Sequence, residues 1–114
     1  MEEITKLHKK ALEFADKSAL KKLDGDYEAH IKFIKEAFEL EKEAALKFSE
    51  ISSEEPSRSV LLRSAASYAL EINEFREAEK LVNLALSQDT PEDLAEELRD
   101  LLEEVYFKRH LKLR

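Results

Sequence analysis

Apolar residues recur along this chain at alternating three- and four-residue steps, and the breaks in that rhythm divide it into five helices. Between residues 2 and 23, Ile4, Leu7, Ala11, Phe14 and Ser18 mark one helical face. Asp24-Gly25-Asp26 ends that helix. Glycine is the residue that best adopts a left-handed C-terminal cap, and an aspartate just after it can accept a bond from a free N–H of the next helix. Residues 27–52 predict a long helix with two adjacent stripes, Tyr27, Ile31, Ile34, Phe38, Ala45, Phe48 and Phe33, Ala37, Leu40, Ala44. Two stripes imply neighbours on both sides, which puts this helix at the centre of the fold. Ser52-Ser53-Glu54-Glu55-Pro56 interrupts the pattern, with Pro56 suited to the first turn of a third helix over 56–72. That helix carries Val60, Leu61, Leu62, Ala65, Ala66, Tyr68, Ala69 and Ile72. Asn73-Glu74 forms a short turn, and a fourth helix over 75–88 uses Phe75, Ala78, Leu81, Val82, Ala85 and Leu86. Thr90 as N-cap, Pro91 at the first position and Glu92 and Asp93 in the first turn start a fifth helix over 91–110, built on Leu94, Leu98, Leu101 and Val105. The expectation is one all-α domain over residues 1–114.

Two of these helices repeat each other. With an offset of 48 residues, Asp26 meets Glu74, Tyr27 meets Phe75, Phe33 and Ile34 meet Leu81 and Val82, and Ala37 and Phe38 meet Ala85 and Leu86. Both segments resemble the turn and second helix of a tetratricopeptide repeat. Gly25, Asp26, Tyr27, Ile31, Ile34, Ala37 and Phe38 carry the likeness in the first copy, and Phe75, Ala78, Val82, Ala85 and Leu86 in the second. Leu62, Ala65, Ala66 and Ala69 extend it into the helix before the second copy. His30 departs from the pattern where the family has a small residue, which Ala78 supplies, and the offset exceeds the family's ~34 residues. The resemblance implies stacked antiparallel helical hairpins with the fifth helix as a cap, and a groove lined by the first helix of each pair. Its groove positions in the second copy are Val60, Arg63, Ser67 and Leu70; in the first they are Leu12, Ala15, Ala19 and Lys22. Residues 10–45 also look like the three-helix microtubule-interacting and trafficking domain, a binder of short helical peptides, which leaves the last three helices unexplained.

Composition narrows the function. The net charge of −7 disfavours nonspecific binding to nucleic acid or anionic membrane. Charged residues make up 39% and apolar residues 43% of the chain, which suits amphipathic helices around a modest core. With no cysteine, disulfides, thiol catalysis and thiolate metal sites are excluded. The opening MEEITKLHKK lacks the apolar core of a secretory signal, and no run approaches the roughly 18 apolar residues of a membrane span, so a cytoplasmic location is expected.

No constellation signals catalysis. His8, His30 and His110 share no ligand spacing, one glycine cannot form a phosphate-cradling loop, and no serine lies in a nucleophile motif. No catalytic, cofactor or metal site is expected. His30, beside the apolar stripe, reads as a core-edge histidine bonding a carbonyl or carboxylate, with a ligand or pH-switch role as the alternative. The acids of residues 89–104 followed by the basic Lys108, Arg109, Lys112 and Arg114 match the helix macrodipole, with a bipolar docking helix for a charged partner as the alternative. For the tail 106–114 the alternative is a short nucleic-acid or membrane contact. The expected function is a non-catalytic adaptor or scaffold that binds a protein or peptide in a helix-lined groove, with Lys22, Val60, Arg63, Ser67 and Leu70 as the groove residues. The alternatives are a self-assembling structural protein, such as a homodimer, and an enzyme or ligand sensor built around His30.

Overall fold

A computed structural model describes residues 1–113, the side chain of Leu113 excepted; Arg114, counted above in the basic tail, lies outside the described residues. It contains five helices: α1 (Glu2–Leu23), α2 (Tyr27–Ile51), α3 (Ser57–Glu71), α4 (Phe75–Leu86) and α5 (Glu92–Leu113). The chain is all-α, as its periodicity predicts.

Consecutive helices run in opposite directions. Along the α1–α2 seam, Ser18 meets His30, His8 meets Glu41 and Glu3 meets Lys47, so positions rise on one helix as they fall on the other. The α4–α5 seam behaves likewise: Glu79 bonds Tyr106 and Arg109, and Lys112 lies over the Phe75 ring. α2 packs on α1 and α3, α4 on α3 and α5, and α5 also touches α3. The result is two layers, with α1, α3 and α5 in front and α2 and α4 behind. The thinnest extent, 20 Å, matches two helices of roughly 10 Å each.

Small side chains set the closeness of the seams. Ala44, Ala45, Ala65, Ala66, Ala69, Ala78 and Ala85 are all core residues, interleaved with Phe38, Phe48, Leu62, Leu81, Val82, Leu98 and Val105. Alanine has the highest helix propensity and leaves backbones free to approach, so close packing and helicity agree here. At the outer end of α1–α2, Phe14 and Phe33 stack at 6.1 Å with Lys17 over both rings.

The corners are the clearest local structures. Gly25 has φ +80°, Asp26 N–H bonds the carbonyl of Lys21, and Gly25 N–H bonds that of Lys22. This is a Schellman cap, in which the left-handed residue lets two N–H groups satisfy the last carbonyls of the helix. The Asp26 side chain then accepts from Ala29 N–H at 3.1 Å, capping α2 as expected. The α3–α4 corner has the same wiring without glycine. Asn73 has φ +61°, Glu74 N–H bonds Ala69, and Asn73 N–H bonds Leu70. Asparagine is among the few residues that tolerate this backbone.

One expected cap differs. The Thr90 hydroxyl does not cap α5; it donates to the Ala85 carbonyl at 2.7 Å and lies 3.0 Å from Ser59 Oγ, tying the end of α4 to α3. α5 opens instead with the Pro91 carbonyl accepting from Ala95 N–H. Its far end runs three residues beyond the expected 110, because no proline or glycine stops it.

Candidate functional site

Front-layer helices α1 and α3 do not approach within 8 Å at any pair of Cα atoms; α2 bridges them from behind. The gap is a cleft of about 270 Å³. Met1 and, on α1, Ile4, Thr5 and His8 form one wall, Ser57, Val60 and Leu61 of α3 the other, and Phe48 of α2 the floor. The opening is therefore mainly apolar, with hydroxyls and one imidazole as its polar groups.

That imidazole is fixed from below. Both carboxylate oxygens of Glu41 lie on His8 Nδ1, at 2.9 and 3.0 Å. Glu41 is 0% exposed, whereas the His8 side chain is 34% exposed. Burial holds the Glu41 carboxyl above its ordinary value, since a dry site disfavours the charged form; the hydrogen bond from His8 acts in the opposite sense and only in part offsets it. The α3 residue Tyr68 feels the same place. Burial, and then the charges of Glu41, Glu71 and Asp16, push its phenol up to about 12.

Glu41 was missed by the sequence reasoning, and so was the pairing of His8. A signal existed. Ile34, Phe38, Ala45 and Phe48 follow a stripe whose position between 38 and 45 is residue 41, so a carboxylate stands where the pattern requires an apolar side chain. Arg58 is a second case. It is 0% exposed and donates to Glu55 and to the carbonyls of Leu84 and Ala85, closing the end of α4.

The five expected groove residues are not brought to one surface. Val60 lines the cleft. Arg63 faces the other way and bonds Glu97 of α5 at 2.5 Å. Ser67 is half-buried further along α3, and Lys22 is exposed at the distant end of α1. Leu70 lies in the core at 5% exposure and cannot front a groove. The repeat resemblance implied a groove position for it, but α3 is packed by α2, α4 and α5, which widens its buried stripe to include Leu70.

His30 sits in the α1–α2 seam. Its Nδ1 is 3.0 Å from the Ser18 carbonyl and 2.6 Å from Ser18 Oγ, while Ser18 Oγ donates to the His30 carbonyl at 2.9 Å. A proton on Nδ1 satisfies the whole exchange, so the ring's work here is to bond one helix to the other.

Larger openings are lined by charge, two of them between helices of the second half and their neighbours. One of about 490 Å³ is lined by Glu36, Glu39, Glu74 and Glu77 together with Lys35, Phe38 and Ile72. Another, of about 410 Å³, has Arg76, Arg109 and Lys112 beside Glu74 and Phe75. Among the described residues no group of three or more His, Asp or Glu is placed to hold a metal ion. No described helix is long and apolar enough to cross a membrane. Compared with known proteins, the chain matches no family model, no curated protein and no solved structure.

Proposed function

We propose that this protein is a non-catalytic interaction module whose α1–α3 cleft receives a side chain from a partner peptide or protein. The observation that carries the reading is the cleft itself: two helices held apart by a third, with an apolar lining from all three. Its volume of about 270 Å³ falls below the roughly 300 Å³ at which small-molecule sites begin, so it suits one anchor of a larger partner. The resemblance of the two corner-and-helix segments to tetratricopeptide repeats supports the same class of function, since that architecture presents its first helices to ligands. A cytoplasmic adaptor or scaffold is the setting this implies.

Selection of displayed peptides against the protein tests it, with Val60→Trp as the counter-selection because the indole would fill the cleft. The expected result is a set of peptides sharing one large apolar residue that loses binding to the variant. Equal binding to both proteins, with the helical circular dichroism of the variant intact, would refute the reading.

A second reading is self-assembly. Leu12, Leu20 and Leu23 are exposed on the open side of α1, and Tyr27 is exposed just beyond the corner. Sedimentation decides between them: a tight dimer that protects these residues and occludes Val60 favours assembly, and a monomer favours the adaptor.

A further inference from the structure

The His8–Glu41 pair gives the cleft a polarity. Glu41 occupies Nδ1, which leaves Nε2 as the ring nitrogen for a partner. Two arrangements place one shared proton on the pair: an imidazolium against a carboxylate, or a neutral imidazole accepting at Nδ1 from a carboxylic acid. In both, Nε2 carries a hydrogen and is a donor. Losing the proton would leave the Glu41 carboxylate accepting from Nδ1–H and turn Nε2 into an acceptor; burial at 0% exposure opposes the charge this leaves on Glu41, and a carboxylate at Nε2 would oppose it further. The phenol of Tyr68 on α3 feels the Glu41 charge, together with those of Glu71 on α3 and Asp16 on α1. Tyr68 stays a neutral phenol, and Asp16 and Glu71 are exposed.

Charge around the opening points the same way. The chain has 26 acidic residues, yet none lines this cleft. The 490 Å³ opening has four glutamates, and a carboxylate entering there would meet like charge. The α1–α3 cleft offers a carboxylate an N–H donor with apolar surface beside it. We propose that it binds a partner segment in which an acidic side chain stands next to a large apolar one, with His8 donating to the carboxylate and Glu41 as the positioning residue behind it. This rests on the peptide-cleft reading above and adds the chemistry of the partner.

The test is an NMR titration of the full chain, following the His8 ring and the methyls of Ile4, Val60 and Leu61. The probes are acetyl-Leu-Glu-Leu-amide, acetyl-Leu-Gln-Leu-amide and the free acid acetyl-Leu-Gln-Leu. The glutamate peptide is expected to shift the cleft methyls and bind about tenfold more tightly than the glutamine amide, as a hydrogen bond to a charged group provides. His8→Gln should erase that preference while leaving the apolar contact. The preference should also weaken as pH rises and the pair loses its proton, and Glu41→Gln, with its helical signal unchanged, should alter that pH profile. Equal affinity for the two amides overturns the carboxylate proposal and leaves the peptide-cleft reading standing. Tighter binding of the free acid overturns the choice of a side-chain carboxylate. If no probe moves the cleft methyls, both readings fall.

Discussion

In the first hairpin, Ser18 and His30 fill the corner end of the seam between α1 and α2 with a polar exchange. At the matching place in the second hairpin, 48 residues on, stand Ala66 and Ala78, both fully buried. The corners next to these seams share one wiring, Gly25 and Asp26 on one side and Asn73 and Glu74 on the other. The same corner hydrogen-bond pattern therefore supports two seam chemistries. One is held by hydrogen bonds that work in a single register; the other depends on small apolar side chains. A larger difference follows further along. α4 ends at Leu86, whereas α2 runs on past its matching point, Phe38, to Ile51. Glu41 and Phe48 lie in that extension, so the candidate site occupies the part of the first hairpin that the second does not repeat.

Making the second seam resemble the first should have the largest effect. Ala78→His puts an imidazole where no serine faces it, combining overpacking with an unpaired buried donor, and should lower stability by about 3 kcal/mol in denaturant unfolding. Adding Ala66→Ser should recover about 1 kcal/mol, a coupling visible in a double-mutant cycle. Absence of any recovery would show that the two seams are not equivalent in register.

Glu41→Gln probes the extension. The folded state holds the Glu41 carboxyl above its ordinary 4.5, so it keeps a proton at pH values where the unfolded chain has lost one. Stability from this residue is thus greatest below 4.5 and falls as pH rises through the raised folded value. The glutamine variant should lack that fall and be more stable than the parent at pH 8 by about 1 kcal/mol. Unfolding curves with the same pH slope for both proteins would contradict it.

The two corners are compared by Gly25→Ala and Asn73→Ala. A Cβ at Gly25 meets nothing within 4 Å, so only the left-handed backbone opposes it. Each change should cost about 1 kcal/mol, and Asn73→Gly should cost nothing or stabilise slightly, measured by thermal unfolding. The smallest effect belongs to Arg63→Ala. The Arg63–Glu97 pair is partly solvated, at 35% and 59% exposure, and its loss should change stability by less than about 0.5 kcal/mol.

The pattern of the chain made the five helices legible, because each break carries a residue with a specific backbone role: Gly25, Pro56, Asn73 and Pro91. It also exposed the repeat, since Tyr27 and Phe75 open matching helices. The site was less legible for a physical reason. His8 and Glu41 are 33 positions apart and meet only because α1 and α2 pair in one register. Glu41 looked like one more surface acid in a chain where most acids are on the surface, although its place in the apolar stripe set it apart. The groove positions inferred from the repeat resemblance assume evenly stacked first helices, and here α1 stands clear of α3, so Val60 and Arg63 face different neighbours.

That separation also has a mechanical meaning. Among the described residues the α1 backbone comes within 8 Å of α2 and of no other helix, while α3, α4 and α5 brace one another in a triangle. Tension applied at Met1 therefore loads a single seam. In a pulling trace we expect a first rip the length of the 22 residues of α1, before the remaining helices yield together. Because α1 is one wall of the cleft, that first rip would also discharge whatever the cleft holds, and a bound segment should raise the force at which it occurs.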